Sequence, residues 1–312
     1  MTRVLVTGGA GYVGSILVPA LLEHGFAVTV VDNFMYGQDS LAAACYHPTF
    51  SLVRGDVRST DTMRRLFQKA DIIIPLAALV GAPLCDRDPI AATSTNLRAI
   101  VEMVDGISRD QRVLLPVTNS GYGVGEPGTL CTEETPIRPV SLYARDKVEA
   151  ERILLERHPS TVSFRLATVF GMSPRMRLDL LVNDFTHRAC TDRFIVLFES
   201  HFKRNFLHVR DVARAFLHGI KCFDSMQGQI YNVGLSDANL SKLELCQRIQ
   251  KHVPSFMIHQ SEIGRDPDKR DYIVSNDKIE RTGYRPAFSL DDGIRELVKG
   301  FSMIHNAKYC NA

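Results

Sequence analysis

This sequence of 312 residues lacks closely spaced cysteines. Its seven cysteines are dispersed, and they form neither a Cys-x-x-Cys pair nor a Cys/His cluster at metal-ligand spacing. An odd, scattered set of thiols is typical of a reducing compartment and argues against a disulfide framework. The sequence therefore predicts neither structural disulfides nor a metal site.

The sequence also lacks a charge excess and a long apolar run. Its 37 basic and 35 acidic residues give a net charge of +2, which creates no strong field toward nucleic acid or membranes. The longest apolar run, from Ile72 to Cys85, contains two prolines and is shorter than the roughly 20 residues of a membrane-spanning helix. Arg3 is the only charged residue before the first glycine-rich segment, and this N-terminal stretch does not resemble a signal peptide. We expect a cytoplasmic protein without nucleic-acid or membrane partners.

What the sequence does contain is an alternation of short β-branched runs and longer helical patterns. Continuously apolar runs predict strands at 3–7, 27–32, 71–75, 112–117 and 161–165, and helical patterns lie near 12–24, 60–69, 88–107 and 143–157. Runs without polar alternation are typical of a parallel sheet that is covered on both faces. Gly25 stands where the first helix would end in a left-handed residue. The alternation predicts a doubly wound α/β domain of the Rossmann type.

The pattern changes after Gly171. Segment 171–208 has little periodicity, whereas a helix at 209–221 and a strand at 229–233 are predicted to return to the sheet. Helices near 241–252 and 289–303 follow. We expect a Rossmann domain over 1–170 with 209–235, and a smaller, interleaved substrate-binding domain over 171–208 and 236–312.

A glycine-rich motif joins the first predicted strand to the first helix. The motif VLVTGGAGYVG runs from Val4 to Gly14. Gly8 permits a tight turn, Gly11 lets the backbone approach a pyrophosphate, and Gly14 permits close packing of the helix. Asp32 ends the second strand, where a carboxylate accepts hydrogen bonds from a ribose 2′-hydroxyl and repels a 2′-phosphate. A flexible loop with Asp32 as a turn residue is the alternative. However, the strands, glycines, helix and carboxylate follow one another in the order and spacing of a dinucleotide-binding unit. The motif predicts NAD rather than NADP.

Tyr143 and Lys147 are four residues apart in a predicted helix, so both side chains lie on one face. A phenol with a pKa of about 10 is a poor base near neutrality, but a nearby ammonium group stabilises the phenolate. Such a tyrosine can accept a proton from an alcohol while NAD takes up the hydride. Alone, the pair is equally typical of a packed tyrosine beside a surface lysine. After an NAD motif, it predicts an alcohol-oxidising enzyme.

Several motifs together resemble one family. TGGAGYVGS at 7–15, YARDK at 143–147 and RNFLHVRDVA at 204–213 are similar to motifs of the extended short-chain dehydrogenase/reductases, specifically the nucleotide-sugar epimerases and dehydratases. YNVG at 231–234 and GYRPAFSLDDGI at 283–294 extend the resemblance over nearly the whole chain. Asp146 departs from the family, which usually carries Ser there. The resemblance implies a homodimer in which helices near 88–107 and 143–157 pair across the subunits.

The resemblance also implies which residues contact NAD. Asp56 and Val57 would hold the adenine edge, and Asn96 would lie with Ala77 and Ala78 on the nicotinamide side. The full cofactor-binding set is Gly8, Gly11, Tyr12, Val13, Gly14, Asp32, Asn33, Asp56, Val57, Leu76, Ala77, Ala78, Asn96, Tyr143 and Lys147.

At the substrate end, the resemblance implies that Arg204 and Arg265 contact a nucleoside-diphosphate sugar through its pyrophosphate. Two guanidinium groups supply the fork geometry that a diphosphate needs, although any single arginine could equally lie on a solvated surface. The nucleotide base stays open. The full substrate-binding set is Asn119, Ser120, Arg175, Arg177, Asn183, Arg204, Arg265 and Arg270.

The stretch TNSGYGVG at 118–125 restricts the reaction. In related sugar 4,6-dehydratases an aspartic acid and a glutamate occupy the positions that hold Asn119 and Ser120 here. An amide and a hydroxyl cannot replace that acid and base, so elimination of water is not expected. Thr118 falls where these enzymes place the residue that hydrogen-bonds the C4 oxygen, although it could simply cap the strand end. The predicted catalytic residues are therefore Thr118, Tyr143 and Lys147.

Two enzymatic outcomes stay open after oxidation at C4. ADIIIPLAALVGAPLC at 70–85, TNSGYGVGE at 118–126 and DPDKRDY at 266–272 resemble a bacterial subgroup that includes GDP-D-glycero-α-D-manno-heptose 4-dehydrogenase of capsule biosynthesis. This resemblance favours release of the 4-keto sugar over a 4-epimerase, which would return hydride to the opposite face. A non-catalytic NAD-binding scaffold or sensor is the remaining alternative, but Tyr143 and Lys147 are both retained.

Overall fold

A seven-stranded parallel sheet forms the centre of the molecule in the computed structural model, which describes residues 1–263 and 270–304. The strands are β1 (Arg3–Thr7), β2 (Ala27–Asp32), β3 (Phe50–Arg54), β4 (Ile72–Pro75), β5 (Arg112–Thr118), β6 (Leu130–Cys131), β7 (Thr161–Leu166), β8 (Thr168–Phe170), β9 (Phe194–Phe198), β10 (Lys203–His208), β11 (Gln229–Val233), β12 (Asn239–Ser241), β13 (Met257–Ser261) and β14 (Ile273–Val274). The large sheet has the order β11-β7-β5-β4-β1-β2-β3, which confirms the predicted Rossmann-type α/β fold.

Helices cover both faces of this sheet and build the C-terminal part. They are α1 (Gly14–Glu23), α2 (Thr60–Phe67), α3 (Ala82–Arg87), α4 (Pro89–Thr93), α5 (Ala99–Gly106), α6 (Leu142–Arg157), α7 (Leu181–Thr191), α8 (Val209–Lys221), α9 (Phe223–Met226), α10 (Lys242–His252), α11 (Asp277–Arg281) and α12 (Leu290–Phe301). Within the described residues, no helix is long and apolar enough to cross a membrane.

Two apolar layers enclose the sheet, as its uninterrupted hydrophobic strands predict. On one face, Leu17 and Leu21 of α1 pack with Phe164 of β7 and Phe216 of α8, whose rings meet edge to face at 5.3 Å. On the other face, Leu154 of α6 belongs to a cluster with the buried residues of α2, α5 and the sheet. Because helices cover both faces of such a sheet, its ligands bind beyond the carboxyl ends of the strands.

Residues after β7 build a second layer of structure over these carboxyl ends. Strands β8, β10 and β12 form one small sheet, and β9 pairs with β13. A separate apolar cluster includes Phe170, Phe206, Phe256 and Leu297, and it joins α7, α10 and α12. As predicted, 209–221 is helical and 229–233 is a strand that pairs with β7 in the large sheet.

The helix predicted near 88–107 is confirmed as continuous helical backbone from Pro89 to Gly106, and it contains a π-helical turn that was not predicted. Asp88 caps α4 by accepting a hydrogen bond from the Ala91 amide at 2.9 Å, because Pro89 cannot continue α3. A π-helical turn at Ser94–Arg98 then separates α4 from α5. The predicted left-handed end of α1 is confirmed, since Gly25 has a φ of 81°.

Candidate active site

A cavity of about 900 Å³ opens at the carboxyl edge of the sheet. Its walls combine the loops after β1, β2, β3, β4 and β5 with α6, the segment after β8 and single residues of β10 and α10. Strand order reverses on either side of β1, because β2 and β4 are its two neighbours. Ligands of open α/β sheets bind at such a switch point.

The glycine loop after β1 forms one wall of the cavity and requires residues without side chains. Gly8 has a φ of 66°, and a Cβ built there would lie 2.6 Å from the Cα of Ala77. A Cβ on Gly14 would lie 2.5 Å from the Cα of Gly9, which packs the start of α1 against the loop. Val13 gives α1 no side-chain cap. This cradle fits a pyrophosphate at the helix N-terminus.

Asp32 lies beside this cradle and is held by the backbone. Its carboxylate accepts hydrogen bonds from the amides of Ala10 at 3.0 Å and Phe34 at 2.8 Å. Burial raises the pKa of Asp32, while these two bonds oppose the rise. Each carboxylate oxygen keeps a second acceptor site, so Asp32 can accept from ribose hydroxyls.

The remaining cofactor wall matches the prediction in most positions. Asn33, Val57, Leu76, Ala77 and Ala78 all line the cavity. So do Gly11, Tyr12, Val13 and Asp56. Hydrogen bonds from Arg58 lower the pKa of Asp56, and the ion pair spans 2.7 Å. All nine of these residues therefore share one cavity.

Asn96 does not line the cavity, contrary to the prediction. It is 1% exposed, and its amide accepts from the nitrogen and donates to the oxygen of Leu79. The π-helical turn carries this side chain behind the wall that Leu79 helps to form. Asn96 therefore supports the loop after β4 instead of facing a cofactor.

Tyr143 and Lys147 face the cavity from the first turns of α6. Ser141 caps this helix by accepting from the Ala144 amide at 3.2 Å, which fixes the start of the helix beside the loop after β5. Burial raises the pKa of Tyr143 to about 12, opposed by the guanidinium groups of Arg177 and Arg270. Burial lowers the pKa of Lys147 to about 8, and the carboxylate of Glu151 opposes that change.

Two arginines from outside α6, Arg177 and Arg270, partly offset the rise that burial causes in the pKa of Tyr143. They approach from segments far apart in sequence, so the helical spacing of Tyr143 and Lys147 gave no sign of them. The acid–base properties of this tyrosine thus depend on tertiary structure as well as on its own helix.

Thr118 ends β5 on the same side of the cavity and belongs to a hydroxyl chain. It accepts from the Ser120 amide at 3.1 Å and donates to the Ser120 hydroxyl at 3.0 Å. Arg270 in turn donates to that hydroxyl. Asn119 points elsewhere: it is 1% exposed, does not line the cavity, and its amide has no hydrogen-bond partner among the described residues.

The predicted substrate arginines also converge on the cavity. Arg175 lies over the ring of Tyr36 at 4.1 Å, Arg177 pairs with Asp179 at 2.6 Å, and Arg204 lies over the ring of Tyr272 at 5.5 Å. All three are at most 8% exposed and line the cavity. Arg265 lies outside the described residues.

Asn183 does not reach the cavity, which contradicts its predicted contact with substrate. Its side chain is fully buried and accepts from the Gly171 amide at 3.0 Å. It also donates to the Tyr12 hydroxyl at 3.2 Å and to the Arg177 carbonyl at 2.9 Å. Asn183 therefore connects the glycine loop to the segment that carries Arg177.

Lys242 and Tyr36 are among the lining residues that the sequence analysis did not identify. Lys242 is 6% exposed at the start of α10, where its ammonium group donates to the Phe198 carbonyl at 2.6 Å. The Ser241–Glu244 capping box marks that helix start in the sequence, but nothing local places Lys242 at the cavity. Tyr36 follows Asp32 in the loop after β2, and its buried hydroxyl has no hydrogen-bond partner among the described residues.

Residues 4–234 match the NAD dependent epimerase/dehydratase family. Over 309 residues the chain is 29% identical to the low-salt glycan biosynthesis protein Agl12 of Haloferax volcanii, covering 95% of this chain and 97% of that protein. It is 28% identical to UDP-glucuronic acid decarboxylase 1 of Arabidopsis thaliana, covering 96% and 69%. It is also 28% identical to a dTDP-glucose 4,6-dehydratase of Actinoplanes, covering 95% and 96%.

Solved structures have the same fold. UDP-glucose 4-epimerase of Thermus thermophilus, in complex with NAD, superimposes with a TM-score of 0.82 at 25% identity over 96% of this chain and 99% of that chain. UDP-glucuronic acid 4-epimerase of Bacillus cereus gives a TM-score of 0.87 at 21% identity over 97% and 100%. The family match covers most of the chain and includes the cradle, Asp32, Tyr143 and Lys147. The chain belongs to the NAD dependent epimerase/dehydratase family, and its cofactor is NAD.

Proposed function

We propose that the protein oxidises C4 of a nucleoside-diphosphate sugar and releases the 4-keto sugar. The observation that supports this proposal is the convergence of Tyr143, Lys147 and Thr118 on the cavity that the glycine loop opens. Bound NAD supplies the acceptor for the hydride on C4. The substrate's diphosphate would bind Arg204 and Arg177, whose guanidinium groups line the same cavity.

Each catalytic side chain has one task in this proposal. Tyr143 accepts the proton of the C4 hydroxyl; burial opposes the phenolate that this step requires, and the positive charges of Arg177 and Arg270 partly offset the effect of burial. Thr118 hydrogen-bonds the C4 oxygen and is oriented by its bonds with Ser120. Lys147 contributes its ammonium group, which is populated below a pH of about 8 and lost as the pH rises through that value.

Elimination of water is not part of the proposed reaction. Ser120 lines the cavity where the related dehydratases carry a glutamate, and its hydroxyl is bound by Arg270 and Thr118. Asn119, at the position of the aspartic acid, does not line the cavity. A neutral hydroxyl and a buried amide supply neither the base nor the acid of that step.

Release of the ketone, rather than epimerisation, is supported by the resemblance of segments 70–85, 118–126 and 266–272 to the GDP-heptose 4-dehydrogenase subgroup. The similarity to a glycan biosynthesis protein of Haloferax volcanii supports a role in surface polysaccharide biosynthesis. The 4-epimerase is the second candidate, supported by the fold and 25% identity shared with the UDP-glucose 4-epimerase of Thermus thermophilus.

The deciding experiment incubates purified protein that carries one NAD per site, without free NAD, with panels of GDP-, UDP- and dTDP-sugars and follows the sugars by NMR. Without added oxidant, we expect at most one equivalent of 4-keto sugar per site and accumulation of NADH. A hydride-accepting co-substrate should restore turnover, and Tyr143→Phe should abolish the signal. Conversion of excess substrate into its C4 epimer, with no net NADH, would establish the epimerase instead.

A further inference from the structure

A buried ion pair lies one helical turn beyond Lys147. Glu151 of α6 and Arg165 of β7 meet at 2.6 Å, with side chains only 3% and 5% exposed. The Glu151 carboxylate also accepts from the Ser163 hydroxyl at 2.5 Å. A fully buried pair of this kind is costly to desolvate, so it is weak evidence for stability and invites a functional explanation.

The pair connects the elements that carry the catalytic side chains. Arg165 donates to the hydroxyl of Tyr122 at 3.2 Å, and Tyr122 belongs to the turn directly after Thr118. Tyr122 in turn donates to Asn232 of β11 at 2.7 Å. In the sheet register, Arg165 lies beside Val117. The network thus joins the helix of Tyr143 and Lys147 to the strand end of Thr118.

Glu151 is also the charged neighbour of Lys147 on its own helix face. Residues four apart on a helix lie side by side, and Tyr143, Lys147 and Glu151 continue one such row. Arg165 donates to Glu151, the last residue of this row. Arg177, Arg270 and Cys85 instead influence the pKa of Tyr143. Asp146, next to Lys147 in sequence, accepts from Thr93 at 3.0 Å. Among the described residues, Glu151 is the charged group that opposes the lowering of the pKa of buried Lys147.

We propose that Glu151, fixed by Arg165 and Ser163, is a positioning residue that acts through Lys147. Its carboxylate favours the ammonium form of Lys147, and its bond to Arg165 holds α6 in register with the strand end of Thr118. This inference rests on the proposed role of Lys147 in the reaction. Arg165 prevents Glu151 from being an isolated buried charge, so the pair works as one unit.

The test measures the titration of Lys147 directly and needs no sugar substrate. Lysine labelled with ¹³C at the ε-carbon reports its ionisation by NMR in the NAD-bound protein, and Lys147→Arg assigns the signal. The wild-type signal should titrate at a pH of about 8. In Glu151→Gln combined with Arg165→Met, both charges are gone, and we expect the midpoint to fall by about one pH unit.

Two further variants make the result interpretable. Glu149→Gln removes an exposed carboxylate of the same helix, paired with Arg152, and should leave the midpoint unchanged. Glu151→Asp keeps a partner for Arg165 but withdraws the carboxylate by one methylene. The titration midpoint of Lys147 should therefore fall by a smaller amount. This variant still tests the proposal if the double variant does not fold. An unmoved midpoint in folded Glu151→Asp and in the double variant would overturn the proposal. Because the signal reports a proton and not a product, an error about the sugar reaction would leave this result unaffected.

Discussion

The two ends of the cavity are built in different ways. At the cofactor end, the shape is set by backbone: Gly8 lies against Ala77, Gly14 lies against Gly9, and two amides hold Asp32. At the substrate end, the surface consists of long charged side chains held by other side chains or by backbone carbonyls. Arg177 is paired with Asp179, for instance, and Arg204 donates to the Lys203 carbonyl at 2.8 Å.

This difference indicates which end is preformed. A cradle of glycines and strand ends has few rotatable bonds, so it can receive a pyrophosphate without rearrangement. An arginine that already bonds a carboxylate or a carbonyl has to share or exchange that partner for a phosphate. We therefore expect mutations at the cofactor end to act through shape and those at the substrate end through charge.

The largest effect is expected where the two ends meet, at the phenol of Tyr143. Tyr143→Phe removes the proton acceptor and should lower turnover about 10²- to 10⁴-fold, as is typical for general acid–base groups. NAD affinity should stay close to wild type, because neither the cradle nor Asp32 changes. Steady-state rates and NAD titration measure the two quantities. Turnover near the wild-type level would remove Tyr143 from the mechanism.

Gly8→Ala tests the shape of the cofactor end. The new Cβ would overlap the backbone of Ala77, and Ala tolerates a φ of 66° only at a cost of about 1–2 kcal/mol. NAD affinity, measured by calorimetry, should fall about thirtyfold or more. Gly25→Ala is the matched control, since Gly25 has a φ of 81° but nothing within 4 Å of its Cβ position. Equal NAD affinity in both variants would contradict a cradle that depends on close contact.

Arg204→Ala tests the charge of the substrate end. Loss of a charge-assisted contact to phosphate should weaken binding of a nucleoside diphosphate about ten- to a hundredfold, with little effect on NAD. Calorimetry with GDP, UDP and dTDP measures this and also reports the preferred base. Lys203→Ala, its exposed neighbour on β10, is the control. Unchanged affinity in Arg204→Ala would place the diphosphate elsewhere.

Asp32→Ser should have the smallest effect on the quantity measured, which is the ratio of the affinities for NAD and NADP, because loss of the bond to the Ala10 amide weakens the binding of both cofactors. Without the carboxylate, the repulsion of a 2′-phosphate is lost, and the preference for NAD over NADP should narrow about tenfold. The ratio of the two dissociation constants measures it, with the exposed Asp39→Ser as control. A preference that stays the same would mean that another residue distinguishes the ribose.

Local patterns predicted the fold and the cofactor wall well. Six of the seven strands of the large sheet, together with α1, α6 and α8, follow from apolar runs and glycine positions, because both depend on residues near in sequence. The helix near 88–107 was predicted, but its π-helical turn at Ser94–Arg98 was missed, since such a turn has no simple sequence signal. The same turn carries Asn96 behind the cavity wall.

By itself, the sequence determined the Rossmann-type fold, the glycine cradle, Asp32, and the side-by-side placement of Tyr143 and Lys147. Those features depend on backbone geometry and on fixed helical or strand spacing. Only the tertiary structure decided that Asn119 and Asn183 turn away from the cavity and that Lys242 and Tyr36 enter it. It also brought Arg177 and Arg270 to Tyr143, and Arg165 to Glu151. The reason is physical: a buried polar side chain takes whichever partner the packed chain offers, and that partner can lie anywhere in the sequence.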